Sequence, residues 1–339
     1  MSTNQVNSME VAKLAGVSQS TVSRVFAPNA KGKVATKTRK KVLEAANALG
    51  YYPNALAKGL VTKETKLIGL LIGGDNLHFY SQIQINLIKK LQEKGYQIIS
   101  GFTESTEVKP ENIFKFIQYD VAGLIVAGVP LSLNILSILS KYKVPFVLYN
   151  QYTEDLPCHF VCCDNYFAGE EIGKYLLKQD YQYFAYISGN NNTQNHIDYQ
   201  RGFYNALYSK GIKPIFKEGD YTFESGYIAA LELLTASSSI DAIVCGNSLM
   251  ALGVIEAIKS LGLSVLDDVS VIGIDDSLAI SWSPYFLTLW RQPIEQMNEV
   301  TIDTLLNEVN RKSDVPKGIW LRGTIIEKGS FRNTNKDCI

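Results

Sequence analysis

The stretch VAKLAGVSQSTVSRVF, Val11 to Phe26, constrains this chain more than any other. Val11, Ala12, Leu14 and Ala15 recur at helical spacing, and Gly16 then supplies the permissive residue of a tight turn. Ser18 stands where an N-cap belongs, its hydroxyl placed to accept a backbone N–H of the following turn. In the second helix Val22 and Val25 fall on the inner face, and Gln19, Ser20, Thr21, Ser23 and Arg24 on the outer one. That outer face offers hydrogen-bonding groups and one planar guanidinium, with no acid. Two short helices of this kind make either an ordinary αα-hairpin or a helix-turn-helix whose second helix reads base edges in a major groove.

Charge separates these alternatives. The chain balances 33 Lys and Arg against 33 Asp and Glu, but unevenly. Through Lys66 there are eleven bases and three acids, Glu10, Glu44 and Glu64, a net of +8 that leaves −8 for the rest. A basic head with a helix-turn-helix pattern is an electrostatic footprint for phosphate. DNA would repel the acidic remainder, which therefore has another task.

A third helix is expected over Thr36 to Leu49, with Val42, Leu43, Ala46 and Leu49 buried and Gly50 ending it. Tyr51-Tyr52-Pro53-Asn54 breaks the pattern. The next segment, ALAKGLVTKETK, is basic, weakly helical and carries one apolar oddity, Leu60. Gly59 inside it costs about 1 kcal/mol relative to alanine, so a lone helix there is marginal. It reads either as a plain tether or as a linker that folds on contact.

From Leu67 the pattern becomes strand–helix alternation. LIGLLI suits a strand buried on both faces. Strands are expected near 97–102, 122–127, 145–149 and 160–163, then near 183–188, 214–217, 241–246 and 269–274, with helices between. Helix exits recur as EKGYQII, SKGIKPI and SLGLSVL, which suggests two similarly built domains with parallel sheets. Small ligands of such sheets bind beyond the carboxyl ends of the strands. The 339 residues accommodate a headpiece and two domains of ordinary size. No apolar run reaches the roughly 18 residues of a membrane span. The first residues lack the apolar core of a signal peptide, and the five cysteines lack a disulfide-scaffold spacing. A cytoplasmic, reduced protein without contact to membranes is expected.

VAKLAGVSQSTVSRV, TRKKVLEAANALGYYPNALAKGL, LIGLLI, GNSLMALGVIEAI and VSVIGIDDS together resemble the hallmarks of the lactose-repressor/galactose-repressor family of bacterial transcription regulators. The resemblance runs to about Arg332. It implies an α/β chain: a three-helix helix-turn-helix headpiece (1–53), a hinge helix (54–66), and two doubly wound parallel-sheet subdomains of the type I periplasmic-binding-protein kind. The first subdomain would take 67–162 and 293–321, the second 163–292 and 322–332, leaving 333–339 as a tail. The resemblance further implies a homodimer on a pseudo-palindromic double-stranded operator, with no cofactor. With Ile339 following soon after the last core strand, the heptad tail of tetrameric relatives is not expected.

Residue by residue, Gln19, Ser20 and Arg24 match base-reading positions, and Ser18, Thr21, Ser23 and Thr38 match phosphate contacts. Asn54, Ala57, Lys58 and Leu60 match the hinge, where the leucine wedges into the minor groove; apolar wedges of this sort kink DNA. For a sugar-like effector the matching positions are Leu77, His78, Phe79, Tyr80, Asn150, Tyr199, Tyr221, Asn247, Asp275 and Gln292. Amides and a carboxylate suit hydroxyls, and aromatic faces suit the apolar side of a ring. Two positions depart from the family: Tyr199 stands where many relatives have arginine, three residues before Gly202-Phe203, and Ser248 replaces an aspartate.

Plainer roles compete for several of these residues. Asp275 and Asp276 follow a strand and could cap a helix, Tyr221 and Phe79 could be packing, and His78 a structural histidine. CHFVCC holds four soft ligands, Cys158, His159, Cys162 and Cys163, yet neighbours in a strand point to opposite faces, so buried small side chains are expected rather than a metal site. A transport-associated sugar-binding protein would explain the body but not the head. An enzyme would need a motif that is missing, since Gly69, Gly73 and Gly74 lack the G-x-G-x-x-G spacing.

Overall fold

The computed structural model describes residues 6–27, 34–52, 65–73, 77–103, 107–152, 157–179, 181–189, 193–236, 239–275, 287–310 and 315–331. The chain parts into two compact units, Met1–Thr65 and Lys66–Ile339.

In the first unit, α1 (Ser8–Ala15), α2 (Gln19–Val25) and α3 (Thr36–Leu49) surround a small core of Val11, Val22, Val25, Val42, Ala45 and Ala46. Asn7 and Glu10 cap α1 reciprocally: the Asn7 side chain accepts from the Met9 and Glu10 amides at 2.9 and 3.2 Å, and Glu10 accepts from the Asn7 amide at 2.9 Å. Gly16 takes the left-handed conformation (φ +65°) that ends α1. Ser18 caps α2, its Oγ accepting from the Thr21 amide at 3.3 Å. Ala35 precedes α3 without a side-chain cap, and Gly50 ends α3 at φ +64°. Leu14 is a correction: it is 56% exposed. On a straight helix it lies roughly 100° from the centre of the Val11–Ala12–Ala15 stripe. Ala45 is buried where half-buried Leu43 and Leu49 were expected to be.

The second unit begins β1 (Leu67–Gly73), α4 (Leu77–Glu93), β2 (Gln97–Thr103), α5 (Pro110–Gln118), β3 (Gly123–Ala127), α6 (Leu133–Lys141), β4 (Phe146–Tyr149) and β5 (His159–Cys163). It continues α7 (Asn165–Leu177), β6 (Phe184–Ser188), α8 (Gln194–Tyr208), β7 (Ile215–Glu218), α9 (Phe223–Ala236), β8 (Ala242–Cys245), α10 (Ser248–Ser260) and β9 (Ser270–Ile274). It closes with β10 (Thr288–Arg291), α11 (Ile294–Val309), β11 (Gly318–Leu321) and β12 (Thr324–Ile326).

These strands form two six-stranded sheets, β11-β5-β4-β3-β1-β2 and β12-β10-β9-β8-β6-β7. All neighbours run parallel except β12 against β10. The chain passes from one sheet to the other after β5, after β10 and between β11 and β12. Both faces of each sheet are covered, which is why β1 reads as unbroken apolar sequence. Ile68, Leu70 and Ile72 join the core under α4 and α11, and Leu71 joins the core under α5 and α6. In β6, Ala185 and Ile187 face α9 and α10, while Phe184 and Tyr186 face α7 and α8.

Both helix pairs of the second sheet are drawn together by glycine. A Cβ on Gly169 would lie 2.1 Å from the Tyr199 carbonyl, and one on Gly202 2.1 Å from that of Tyr166. Gly226 and Gly253 play the same parts between α9 and α10, where a Cβ would lie 2.3 Å from the Met250 carbonyl and 2.1 Å from that of Phe223.

The CHFVCC segment is spent on packing. Cys158 and Cys163 enter cores on opposite faces of the sheet. His159 accepts the Lys317 amide at Nδ1 (3.2 Å) and sets Nε2 3.1 Å from Glu308. No helix among the described residues is long and apolar enough to cross a membrane.

Candidate functional site

The headpiece presents an outer face on α2. Gln19, Ser20, Ser23 and Arg24 are exposed and Thr21 is half-buried, while Val22 and Val25 hold the helix to the core. Ser18 Oγ lies 2.9 Å from both Ser20 Oγ and Thr21 Oγ1, and Gln19 donates to Ser8 Oγ at 2.9 Å. These are exposed bonds between neutral groups, readily exchanged for bonds to phosphate or base edges. Among the described residues Arg24 has no acidic partner. Thr38 is half-buried in the first turn of α3. Asn54, Ala57, Lys58 and Leu60 lie outside the described residues.

In the second unit the carboxyl ends of the two sheets meet. The Asn195 side chain, at the start of α8, donates to the Asn150 carbonyl beyond β4 at 2.7 Å. Tyr152 donates its hydroxyl to Asp198, also on α8. Three residues hold left-handed backbone at strand ends without being glycine: Asn150 (φ +50°), Tyr221 (φ +68°) and Asp275 (φ +71°). Such conformations cost about 1–3 kcal/mol in non-glycine residues and persist where the surroundings over-determine them.

Asn150 and Asp275 are buried. The Asn150 Oδ1 accepts from the Cys163 amide and the Cys162 thiol at 3.5 and 3.7 Å, and its side chain hydrogen-bonds Tyr80. Asp275 accepts from Gln292 Nε2 at 2.5 Å. Burial pushes the Asp275 carboxyl up to about 7, and the Gln292 bond only partly offsets this. The Tyr80 hydroxyl is raised first by burial and then by Cys162, Asp275 and Tyr221. Asp275 and Tyr221 come from the second sheet and act on a side chain of the first, so one cleft collects all three. The Asn247 amide group spans two jobs, accepting from the Met250 amide as N-cap of α10 and donating to the Tyr221 carbonyl, both at 2.8 Å. The Tyr221 ring lies against Gly189, where a Cβ would come within 1.9 Å of it.

Tyr80, Asn150, Tyr221, Asn247, Asp275 and Gln292 thus assemble at strand ends. Tyr199 is buried in the core beneath α7 and α8, with burial, Cys163 and Asp275 raising its hydroxyl. The backbone of residues 77–79 forms the first turn of α4, and the side chains of Leu77, His78 and Phe79 lie outside the described residues.

Four buried polar atoms in this region have no hydrogen-bond partner among the described residues: Tyr149 Oη, Tyr199 Oη, Trp290 Nε1 and Gln292 Oε1. Tyr199 and Trp290 both address the Cys163 sulfur, too weak an acceptor to satisfy them. Buried donors and acceptors left in this condition are costly unless a ligand or water completes them. Tyr149, Trp290 and Asn195 escaped the sequence reading, in which Cys162 figured only as a buried packing residue. Tyr149 and Trp290 look like core aromatics in strands, and their one signal is position, one residue before Asn150 and two before Gln292.

Known proteins resemble this chain along nearly its whole length. Residues 9–54 match the family described as bacterial regulatory proteins, lacI family, and residues 68–280 match the periplasmic binding protein domain. The chain is 31% identical to the HTH-type transcriptional repressor PurR of Erwinia tasmaniensis over 95% of each chain. It is 30% identical to the PurR of Edwardsiella ictaluri over the same shares. Among solved structures, the Lac repressor dimer bound to operator and the anti-inducer ONPF superposes with a TM-score of 0.87 at 25% identity, over 97% of this chain and all of that one. A complex of the transcriptional regulator CelR with cellobiose gives 0.70 at 25% identity, over 96% of this chain and all of that one. A helix-turn-helix head and a two-sheet effector-binding body, matched over nearly their whole length, place this chain in the lacI family of bacterial transcriptional regulators.

Proposed function

We propose that this protein is a homodimeric repressor of carbohydrate-utilisation genes, released from or held on a pseudo-palindromic operator by a sugar bound between two subdomains. Gln19, Ser20 and Arg24 read bases, and Ser18, Thr21, Ser23 and Thr38 fix the headpiece on phosphates. The hinge residues Asn54, Ala57, Lys58 and Leu60 follow the minor groove. The subdomains are 67–162 with 293–321 and 163–292 with 322–332. Leu77, His78, Phe79, Tyr80 and Asn150 contribute one wall of the effector site, and Tyr199, Tyr221, Asn247, Asp275 and Gln292 the other.

The observation that carries the effector reading is the buried Asp275–Gln292 pair. Asp275 stands on left-handed backbone, in electrostatic range of Tyr80 on the other sheet. A carboxylate and an amide so placed accept from and donate to vicinal hydroxyls, and solved relatives include a regulator bound to cellobiose and one bound to ribose. The test is operator binding, on a duplex selected in vitro from randomised DNA, with glucose, cellobiose and ribose added in turn. At least one sugar is expected to change operator affinity tenfold or more in the wild type and not in Asp275→Ala. A response retained in that variant, with its DNA binding intact, shows the effector site to be elsewhere.

A further inference from the structure

A second cavity, of about 1080 Å³, lies beside the passages between the two sheets and shares no residue with the strand-end cluster. A volume of that size admits a small organic ligand. Part of its wall is aromatic and comes from the first sheet. The edge strand β11 pairs with β5 so that Gly318 stands opposite Phe160 and Trp320 opposite Cys162. Alternate positions share a face, which brings Phe160 and Trp320 together on one side. A Cβ on Gly318 would lie 2.2 Å from the Phe160 ring, so only glycine lets that ring lie across the edge. Tyr152, beyond β4, completes the set: Trp320 stands edge-to-face with it at 4.5 Å and with Phe160 at 5.2 Å. Trp320 is 43% exposed, so this indole is not used up in the core of the sheet.

The charged part of the wall is two arginine–aspartate pairs. Arg201 Nη2 lies 3.2 Å from Asp198 on α8, and Arg322, just past β11, sets Nε 3.5 Å from Asp164, the N-cap of α7. Each guanidinium also lies over a ring from the first turn of α7, Arg201 over Tyr166 at 5.2 Å and Arg322 over Phe167 at 4.2 Å. Stacking of this kind fixes the plane of a guanidinium and leaves its edge free to bond. The acids are turned inward and the arginines outward: the Asp198 and Asp164 side chains are 4% and 25% exposed, those of Arg201 and Arg322 57% and 66%. Asp198 is already well supplied, accepting also from the Tyr152 hydroxyl and from Gln194 at 3.3 Å. A guanidinium has five N–H donors. The two terminal nitrogens of Arg322 have no acceptor among the described residues.

We propose that this groove is a second ligand site, separate from the effector cleft, for an anion carried on a ring: a carboxylate or phosphate monoester on the terminal fork of Arg322, with the ring against Trp320. Two parallel N–H bonds from one arginine match the oxygens of either group. The groove balances two arginines with two aspartates, so a bare anion gains little net attraction. Burial of the ring must supply the rest, and the exposed indole and its apolar neighbours Pro157, Val315 and Pro316 offer the surface for it. The arginines keep more than half of their surface in water, so the anion enters without the full desolvation cost of a buried charge. Tyr152 and Trp320 belong to the first sheet and Asp198 and Arg201 to a helix of the second, so an occupant touches both.

The experiment is calorimetric titration of the full chain at fixed ionic strength and pH 8 with phenyl phosphate and benzoate. Phenol and inorganic phosphate serve as the separated halves. At least one of the two ring anions is expected to bind at least tenfold more tightly than either half. Arg322→Gln and Trp320→Ala, both at exposed side chains, should each weaken it at least tenfold with the circular dichroism of the chain unchanged. The change in tryptophan emission on binding should vanish in Trp320→Phe, and Asp275→Ala should leave the affinity within twofold of wild type. Absence of binding by both ring anions up to about 10 mM overturns the proposal. So does binding that Arg322→Gln leaves intact, or inorganic phosphate binding as tightly as phenyl phosphate. Binding lost in Asp275→Ala and kept in Arg322→Gln places the anion in the effector cleft, which overturns the second site and leaves the first standing.

Discussion

Asp275 shows what a single residue carries in this protein. Its carboxyl is raised from 3.8 to about 7 by burial. A carboxyl that holds its proton more tightly folded than unfolded favours the folded state below its unfolded value near pH 4. That contribution is lost as the pH climbs through 7. The whole span corresponds to roughly 4 kcal/mol as an upper bound, at about 1.4 per pH unit. Thermal unfolding of the ligand-free protein should therefore show the wild type losing stability between pH 4 and 7, with Asp275→Asn markedly flatter. Parallel curves would mean that the carboxyl is hydrated and not buried. Arg24 is the corresponding residue of the head. A bidentate arginine–guanine contact contributes about 1–3 kcal/mol of discrimination. Arg24→Ala should weaken the operator by that amount and random DNA far less, as read by fluorescence anisotropy at fixed salt. Equal losses on both would exclude base reading by this side chain.

At the scale of elements, stability rests on close helix approach. Gly169 and Gly202 let α7 and α8 touch backbone to backbone, each where a Cβ would sit 2.1 Å from a carbonyl oxygen. Gly202→Ala must push the helices apart beneath Tyr199, and overpacking of this kind costs about 1–3 kcal/mol or more. A fall in the denaturant midpoint is expected, with unchanged DNA binding at low temperature; an unaltered midpoint would show the pair to be loosely packed. What was legible in the sequence follows from the same physics. The helix-turn-helix was readable because Gly16, Ser18, Val22 and Val25 each have one local job. The parallel strands were readable because burial on both faces leaves LIGLLI wholly apolar. The four closing elements, β10, α11, β11 and β12, gave weaker signals. They are short or half-exposed, and their partners lie far away in the chain, as β11 pairs with β5 and β12 with β10. The cleft was legible at Asn150, Asp275 and Gln292 through resemblance alone. Left-handed backbone at an asparagine or aspartate has no sequence mark, and an unsatisfied Trp290 indole reads as one more core aromatic.

Taken as one molecule, the chain divides its charge, +8 before the core and −8 within it. Affinity for any duplex should therefore come from the head and fall steeply with salt, while specificity comes from few contacts. Two heads related by a twofold axis add their energies on two half-sites, which is why a dimer and a palindrome belong together. For a sugar to move operator affinity tenfold, its preference between two subdomain arrangements must supply about 1.4 kcal/mol. The Asn195–Asn150 and Tyr152–Asp198 bonds span the subdomains and would be among the contacts exchanged. The basic linker would connect that choice to DNA. On the proposed reading, a helix there would be marginal by sequence and would form only where packing and a kinked minor groove stabilise it. On the same proposed reading, Leu60→Ala removes the wedge and nothing the sugar touches. Operator affinity should fall at least tenfold, while the calorimetric affinity for a bound sugar in the absence of DNA stays within twofold of wild type. Asp275→Ala should do the reverse, losing the sugar and keeping the operator. If Leu60→Ala weakened sugar and operator alike, the leucine would be part of the folded core, and the linker could not be the element through which the effector acts.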